Sequence, residues 1–149
     1  MNDSDSSVHA SAVKVGDRAV LIRGPSGAGK SRLAFDLILA GRGGVIDATV
    51  LVGDDHLRLT RRGQALEVAA IDSLAGLIEI RGLGIRRCGF VASALVGLVV
   101  DLAAADAERL PAPEARFVSI LGIKLPRIAV GNNFSSLPLV IASLTTTAT

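Results

Sequence analysis

Residues 24–31 read Gly24, Pro25, Ser26, Gly27, Ala28, Gly29, Lys30, Ser31. Two glycines with four residues between them, Gly24 and Gly29, then lysine and a hydroxyl residue, suit one chemistry. The glycines let the backbone wrap phosphate oxygens, Lys30 can reach the β- and γ-phosphates, and the Ser31 hydroxyl can bind Mg²⁺. Asp54 and Asp55 follow the apolar run "LVG". Two adjacent acids beside a triphosphate can divide the work, one near the metal and one taking a hydroxyl proton. The same pair also fits an ordinary turn at the end of a strand. His9 lies fifteen residues before Gly24 and suits a structural or a catalytic place. In "LIEIRGLGI" (77–85), Glu79 and Arg81 fall on one face if the segment is extended. They can pair structurally, but the glycines that follow point to a close approach by a ligand or another backbone.

These residues need a strand before the loop and a helix after it. "RAVLIR" (18–23) is apolar and β-branched enough for the strand. "KSRLAFDLILAGR" (30–42) places Leu33, Leu37 and Ile38 at helical spacing, and the glycines at 41, 43 and 44 end it. Residues 8–15 alternate and predict a strand, and 48–53 predict another. Residues 57–70 predict a β-hairpin turning at Gly63. "SALVGLVVDL" predicts a buried strand, 101–115 a surface connection, and 116–128 strand, turn, strand. A last helix is expected from Ser135 or Ser136, with Pro138 in its first turn. Strand, loop, helix and then mostly strands is not a repeated βαβ pattern. It predicts one α/β P-loop domain rich in sheet, over residues 8–149, after a loose tail at 1–7.

The bulk composition narrows the class. The chain has 149 residues, 50% hydrophobic, enough for the core of one domain. No run reaches the ~18 apolar residues of a membrane span. The formal net charge of +2 is no nucleic-acid footprint, although 13 of the basic residues are Arg and 3 Lys. The single cysteine, Cys88, and a polar start without an apolar signal segment suit a cytoplasmic place.

"GPSGAGKS", "LVGDD" and above all "EIRGLGI" resemble the catalytic domain of the HPr kinase/phosphorylase family, from about His9 to Arg127. The resemblance implies a P-loop fold similar to that of phosphoenolpyruvate carboxykinase. It implies an ATP- and Mg²⁺-dependent kinase that phosphorylates a serine of an HPr-like phosphocarrier protein, an activity many members reverse by phosphorolysis. It further implies a homo-oligomer, often a hexamer. His9 matches the family's active-site histidine, Lys30 the loop lysine, Ser31 the Mg²⁺ ligand, Asp55 the general base and Glu79 a carboxylate at the metal. Asp54 is placed at the metal beside them, and Arg109 in "AERLP" matches a catalytic arginine. A small-molecule kinase on the same fold, and a nucleotide-binding regulator without catalysis, are the alternatives.

The chain departs from longer members by an absent N-terminal domain and extra residues before "LVGDD". Its C-terminal "KLPRIAVGNN" also stands where longer members carry two arginines. It is similar to the short form found in α-proteobacteria. The third departure predicts weak phosphorylase activity, with Lys124 and Arg127 the only cations offered there.

Overall fold

The structure, a computed structural model, describes residues 5–149. Among the described residues are eleven strands and two α-helices: β1 Asp5–Val8, β2 Ser11–Val15, β3 Arg18–Arg23, α1 Lys30–Arg42, β4 Thr49–Gly53, β5 Leu57–Arg62 and β6 Ala65–Ala70, then β7 Leu77–Ile80, β8 Gly84–Arg87, β9 Ser93–Leu102, β10 Phe117–Ile120, β11 Ile123–Val130 and α2 Ser136–Thr145. The principal sheet runs β1-β5-β6-β9-β3-β2-β4, with β11 also on β9 and β10 on β11. β7 and β8 form a separate hairpin. The sheet-rich α/β domain expected from the sequence is the one observed.

The long strand β9 holds the sheet together. Its start pairs antiparallel with β6 (Glu67 opposite Leu95), and its later part pairs parallel with β3 (Arg23 opposite Asp101) and with β11 (Arg127 opposite Val99). Two-residue alternation sorts its neighbours between two cores. On β3, Val20 and Ile22 face one core with Leu33, Leu37 and Ile38 of α1 and Val140 of α2. Ala19 and Leu21 face the other, closed by Leu57, Leu59, Leu66 and Val68 of the β5–β6 hairpin. The pairing of β3 with β9 skips a residue at Gly97, where an added Cβ would lie 2.9 Å from Arg18 Cβ. That irregularity resets which β9 side chains face the helices.

Two expectations need correction. The strand expected over 8–15 is two strands. β1 pairs with β5, whereas β2 lies between β3 and β4, so the chain bends at His9 and Ala10 to serve both parts of the sheet. Of the tail expected at 1–7, Asp5–Ser7 belong to β1, and residues 1–4 lie outside the described residues. The helix over 30–42 and the β5–β6 hairpin lie where expected. No helix among the described residues is long and apolar enough to cross a membrane.

Candidate active site

The loop from Gly24 to Ser31 joins the end of β3 to the start of α1. Gly29 caps the helix in the left-handed region (φ 99°), which a side chain would disfavour, and no side chain caps the helix there. The first-turn amides are therefore offered to an anion, with the positive end of the helix dipole behind them. The Lys30 ammonium folds over the loop and donates to the carbonyls of Gly24 (2.9 Å) and Pro25 (3.2 Å). A triphosphate seated on the loop would be a stronger partner for that cation than two carbonyl oxygens.

Asp54 lies at the centre of the polar contacts and is only 7% exposed. Its carboxylate accepts from the Ser31 hydroxyl (2.8 and 2.9 Å), from the Ser11 hydroxyl (2.5 Å) and from the Glu79 backbone N–H (3.1 Å). One buried charge thus ties β2, α1 and β7 to the loop, and its donors offset the cost of burial. Gly53, just before Asp54, lets the β5–β6 hairpin pack close against the end of β4: an added Cβ there would sit 2.6 Å from Leu57 Cδ2 and 3.0 Å from Ala70 Cβ. The hydroxyl of Ser31 and the carboxylates of Asp54 and Glu79 are hard oxygen donors of the kind Mg²⁺ prefers, so this set fits that ion.

Asp55 is turned the other way. Its φ of 70° swings the side chain out at the end of β4, where the carboxylate is 66% exposed. His56 Nδ1 lies 3.2 Å from Asp55 Oδ2. The Ala10 N–H donates to the Asp55 carbonyl (3.1 Å), bringing the bend of β1 and β2 alongside. His9 consequently stands against His56, with ring centroids 4.2 Å apart.

An open cleft of about 940 Å³ is lined by Ser26–Arg32, Asp55, Glu79, Arg81 and, opposite, Ser135–Pro138 at the start of α2. The structure therefore gathers Lys30, Ser31, Asp55 and Glu79 at one opening, with Asp54 beneath Ser31 and His9 beside Asp55. Glu79 and Arg81 both face it, and no ion pair joins them among the described residues.

Arg109 is not gathered there. It lines a separate hollow of about 260 Å³ with Pro111, Arg127, Phe134 and Leu139, because the connection from β9 to β10 runs past α2 rather than over the loop. Arg127 is engaged as well. Its Nε donates to Asp101 (2.6 Å), its Nη atoms to Asp106 (2.8 and 3.0 Å), and Nη1 also to the Ala115 carbonyl (3.0 Å). These partners, Asp106 foremost, raise its pKa further. Arg23, just before the loop, grips Asp101 from the other side (2.7 and 2.9 Å). Burial alone would push the Asp101 carboxyl up, but hydrogen bonds from Arg23 and Arg127 outweigh it and hold the carboxyl below its ordinary value. Lys124 lies over the Phe117 ring, 4.5 Å from its centroid.

Sequence reasoning missed Ser11 and His56. A serine on a strand carries no signal of its own, whereas His56 follows the two acids directly.

A glycine-rich loop between strand and helix, with a buried acid on the helix's second residue, defines a P-loop phosphate-binding domain. Comparison with known proteins narrows this. The family described as HPr Serine kinase C-terminal domain matches residues 3–136, and the chain belongs to that family. It is 35% identical over 133 residues to the HPr kinase/phosphorylase of Chlorobium limicola, covering 80% of this chain and 38% of that protein. It is 36% identical over 135 residues to the same enzyme of Geobacillus thermodenitrificans, covering 83% and 41%. The chain thus spans about two fifths of the length of these relatives. Among solved structures, the Hpr(Ser) kinase/phosphatase from Coxiella burnetii superposes with a TM-score of 0.72 at 29% identity, covering 93% of this chain and 87% of that one.

Proposed function

We propose that this chain is an ATP- and Mg²⁺-dependent kinase that phosphorylates a serine of an HPr-like phosphocarrier protein. The observation that carries the reading is the split between the two acids. Asp54 is buried on Ser31, and Asp55 is exposed at the mouth of the same cleft. A buried acid orients a hydroxyl and a metal site, and an exposed one can meet an incoming hydroxyl group.

The first-turn amides of α1 and the Lys30 ammonium hold the β- and γ-phosphates. Ser31, Asp54 and Glu79 are the residues that would hold Mg²⁺, which when bound neutralises phosphate charge. Asp55 accepts the proton of the substrate serine as its oxygen bonds to the γ-phosphorus and the bond to the β-phosphate oxygen breaks. ADP leaves. His9 lies beside Asp55 and helps shape that side of the site.

The names of the relatives support a protein substrate over a small molecule. The reading also takes the protein as cytoplasmic and as a homo-oligomer, a hexamer in family members. Phosphorylase activity is proposed to be weak, because Arg127 is committed to Asp101 and Asp106, and Lys124 to Phe117. The reading is tested by incubating the chain with ATP, Mg²⁺ and the HPr-like protein of the same cell, and locating the phosphate by mass spectrometry.

A further inference from the structure

His56 has no part in the transfer described above, yet it stands with His9 and Asp55 at this corner. His9, Asp55 and His56 each offer a donor atom within 4.8 Å of the other two. The backbone makes this arrangement. The Ala10 N–H donates to the Asp55 carbonyl, the His56 N–H donates to the Asp54 carbonyl (2.8 Å), and the left-handed turn at Asp55 points its carboxylate toward the rings. The pair His56 Nδ1 and Asp55 Oδ2, 3.2 Å apart, already has the separation of two ligands on one ion, roughly 3.0–3.5 Å when each bond is about 2.0–2.1 Å. The donors sit on side chains that are exposed or half-buried, so small rotations bring the third to the same spacing.

We infer that His9, Asp55 and His56 form a binding site for a first-row divalent cation of the Zn²⁺ class, separate from the oxygen-donor set at Ser31. Two imidazoles and one carboxylate suit Zn²⁺, Co²⁺ or Ni²⁺, whereas Mg²⁺ prefers oxygen ligands alone. Three protein ligands at an open surface leave coordination positions to water. Occupancy also engages the Asp55 carboxylate. On the kinase reading above, on which this consequence rests, the cation withdraws the base and slows transfer.

Binding is measured on the full chain without nucleotide, in millimolar Mg²⁺ to fill the oxygen-donor set. Zn²⁺ is titrated by calorimetry, and Co²⁺ by its visible absorption. One equivalent is expected to bind. His9→Ala and His56→Ala should each weaken binding by at least about tenfold, since loss of even a partner hydrogen-bonded to a ligand costs that much. His56→Gln is the second variant at a position where Ala could disturb the turn, and circular dichroism checks that each is folded. Absence of Co²⁺ absorption in the wild type, or equal affinity in folded variants, overturns the site. Transfer is then assayed with added Zn²⁺, each variant against its own uninhibited rate. Wild type should be inhibited by Zn²⁺ and restored by chelator, and His56→Ala should need about tenfold more Zn²⁺ for the same inhibition. Binding without inhibition overturns the link to Asp55 and leaves the site standing, whereas absence of transfer in any condition bears on the kinase reading alone.

Discussion

The Ser31 hydroxyl bridges both carboxylate oxygens of Asp54, at 2.8 and 2.9 Å, across twenty-three residues of sequence. The contact joins the first turn of α1 to the end of β4. With Ser11 and the Glu79 N–H on the same carboxylate, it makes Asp54 the fixed point of the site and leaves Asp55 free to face outward.

The two acids should therefore respond oppositely to amide substitution. Asp54→Asn turns an acceptor-only group into one with an N–H₂ facing donors. A loss of roughly 1–3 kcal/mol is expected in urea unfolding, along with reduced activity. Asp55→Asn should leave stability unchanged, because asparagine tolerates the left-handed conformation. Equal destabilisation by the two variants would contradict this division.

Lys30→Ala removes the cation now folded on the Gly24 and Pro25 carbonyls. Steady-state kinetics should show kcat lowered by roughly 10²–10³-fold or more, the usual effect of deleting one donor to developing charge. Thermal stability should change little, since the contact to the Pro25 carbonyl is exposed and the one to Gly24 only part-buried.

Asp101, between Arg23 and Arg127, predicts a pH dependence. Its folded pKa is depressed, so the stabilisation is full above the ordinary aspartate value of 3.8 and drains away as pH falls toward the lower folded value. Asp101→Asn should cost roughly 1.5–3 kcal/mol at neutral pH, and the gap to wild type should narrow in acid below that value. Melting temperatures of both proteins from pH 7 to pH 3 check it. A gap constant with pH would mean that the charge of Asp101 contributes nothing.

The engagement of Arg127 and Lys124 bears on direction. With serine-phosphorylated partner, Mg²⁺ and millimolar phosphate, pyrophosphate release should be far slower than forward transfer. Comparable rates would show that the cations at the loop suffice to hold a second phosphate dianion.

The parts of this site that were legible in the sequence are local ones. The β3–loop–α1 unit follows from one contiguous motif, and Asp54 and Asp55 follow from an apolar run that ends in two acids. Ser11 was illegible, because its meaning lies in a contact forty-three residues away and its own surroundings are those of any strand. Arg109 matches the family only through the short stretch "AERLP", which carries no information on its path, and the chain takes it past α2. Arg127 looked like a free cation because its partners Asp101 and Asp106 lie on other segments. The bend at His9 was hidden because residues 8–15 alternate continuously, although their two halves pair with different strands.

The most direct test compares wild type and Asp55→Asn in single-turnover transfer from ATP to the HPr-like protein, with nucleotide binding measured in parallel. The account predicts one phosphoserine on the partner with wild type. For the variant it predicts unchanged nucleotide affinity and a rate lowered by roughly 10²–10⁴-fold, the usual worth of a general base. Absence of phosphoserine with the wild-type chain, or a variant as fast as wild type, would contradict it.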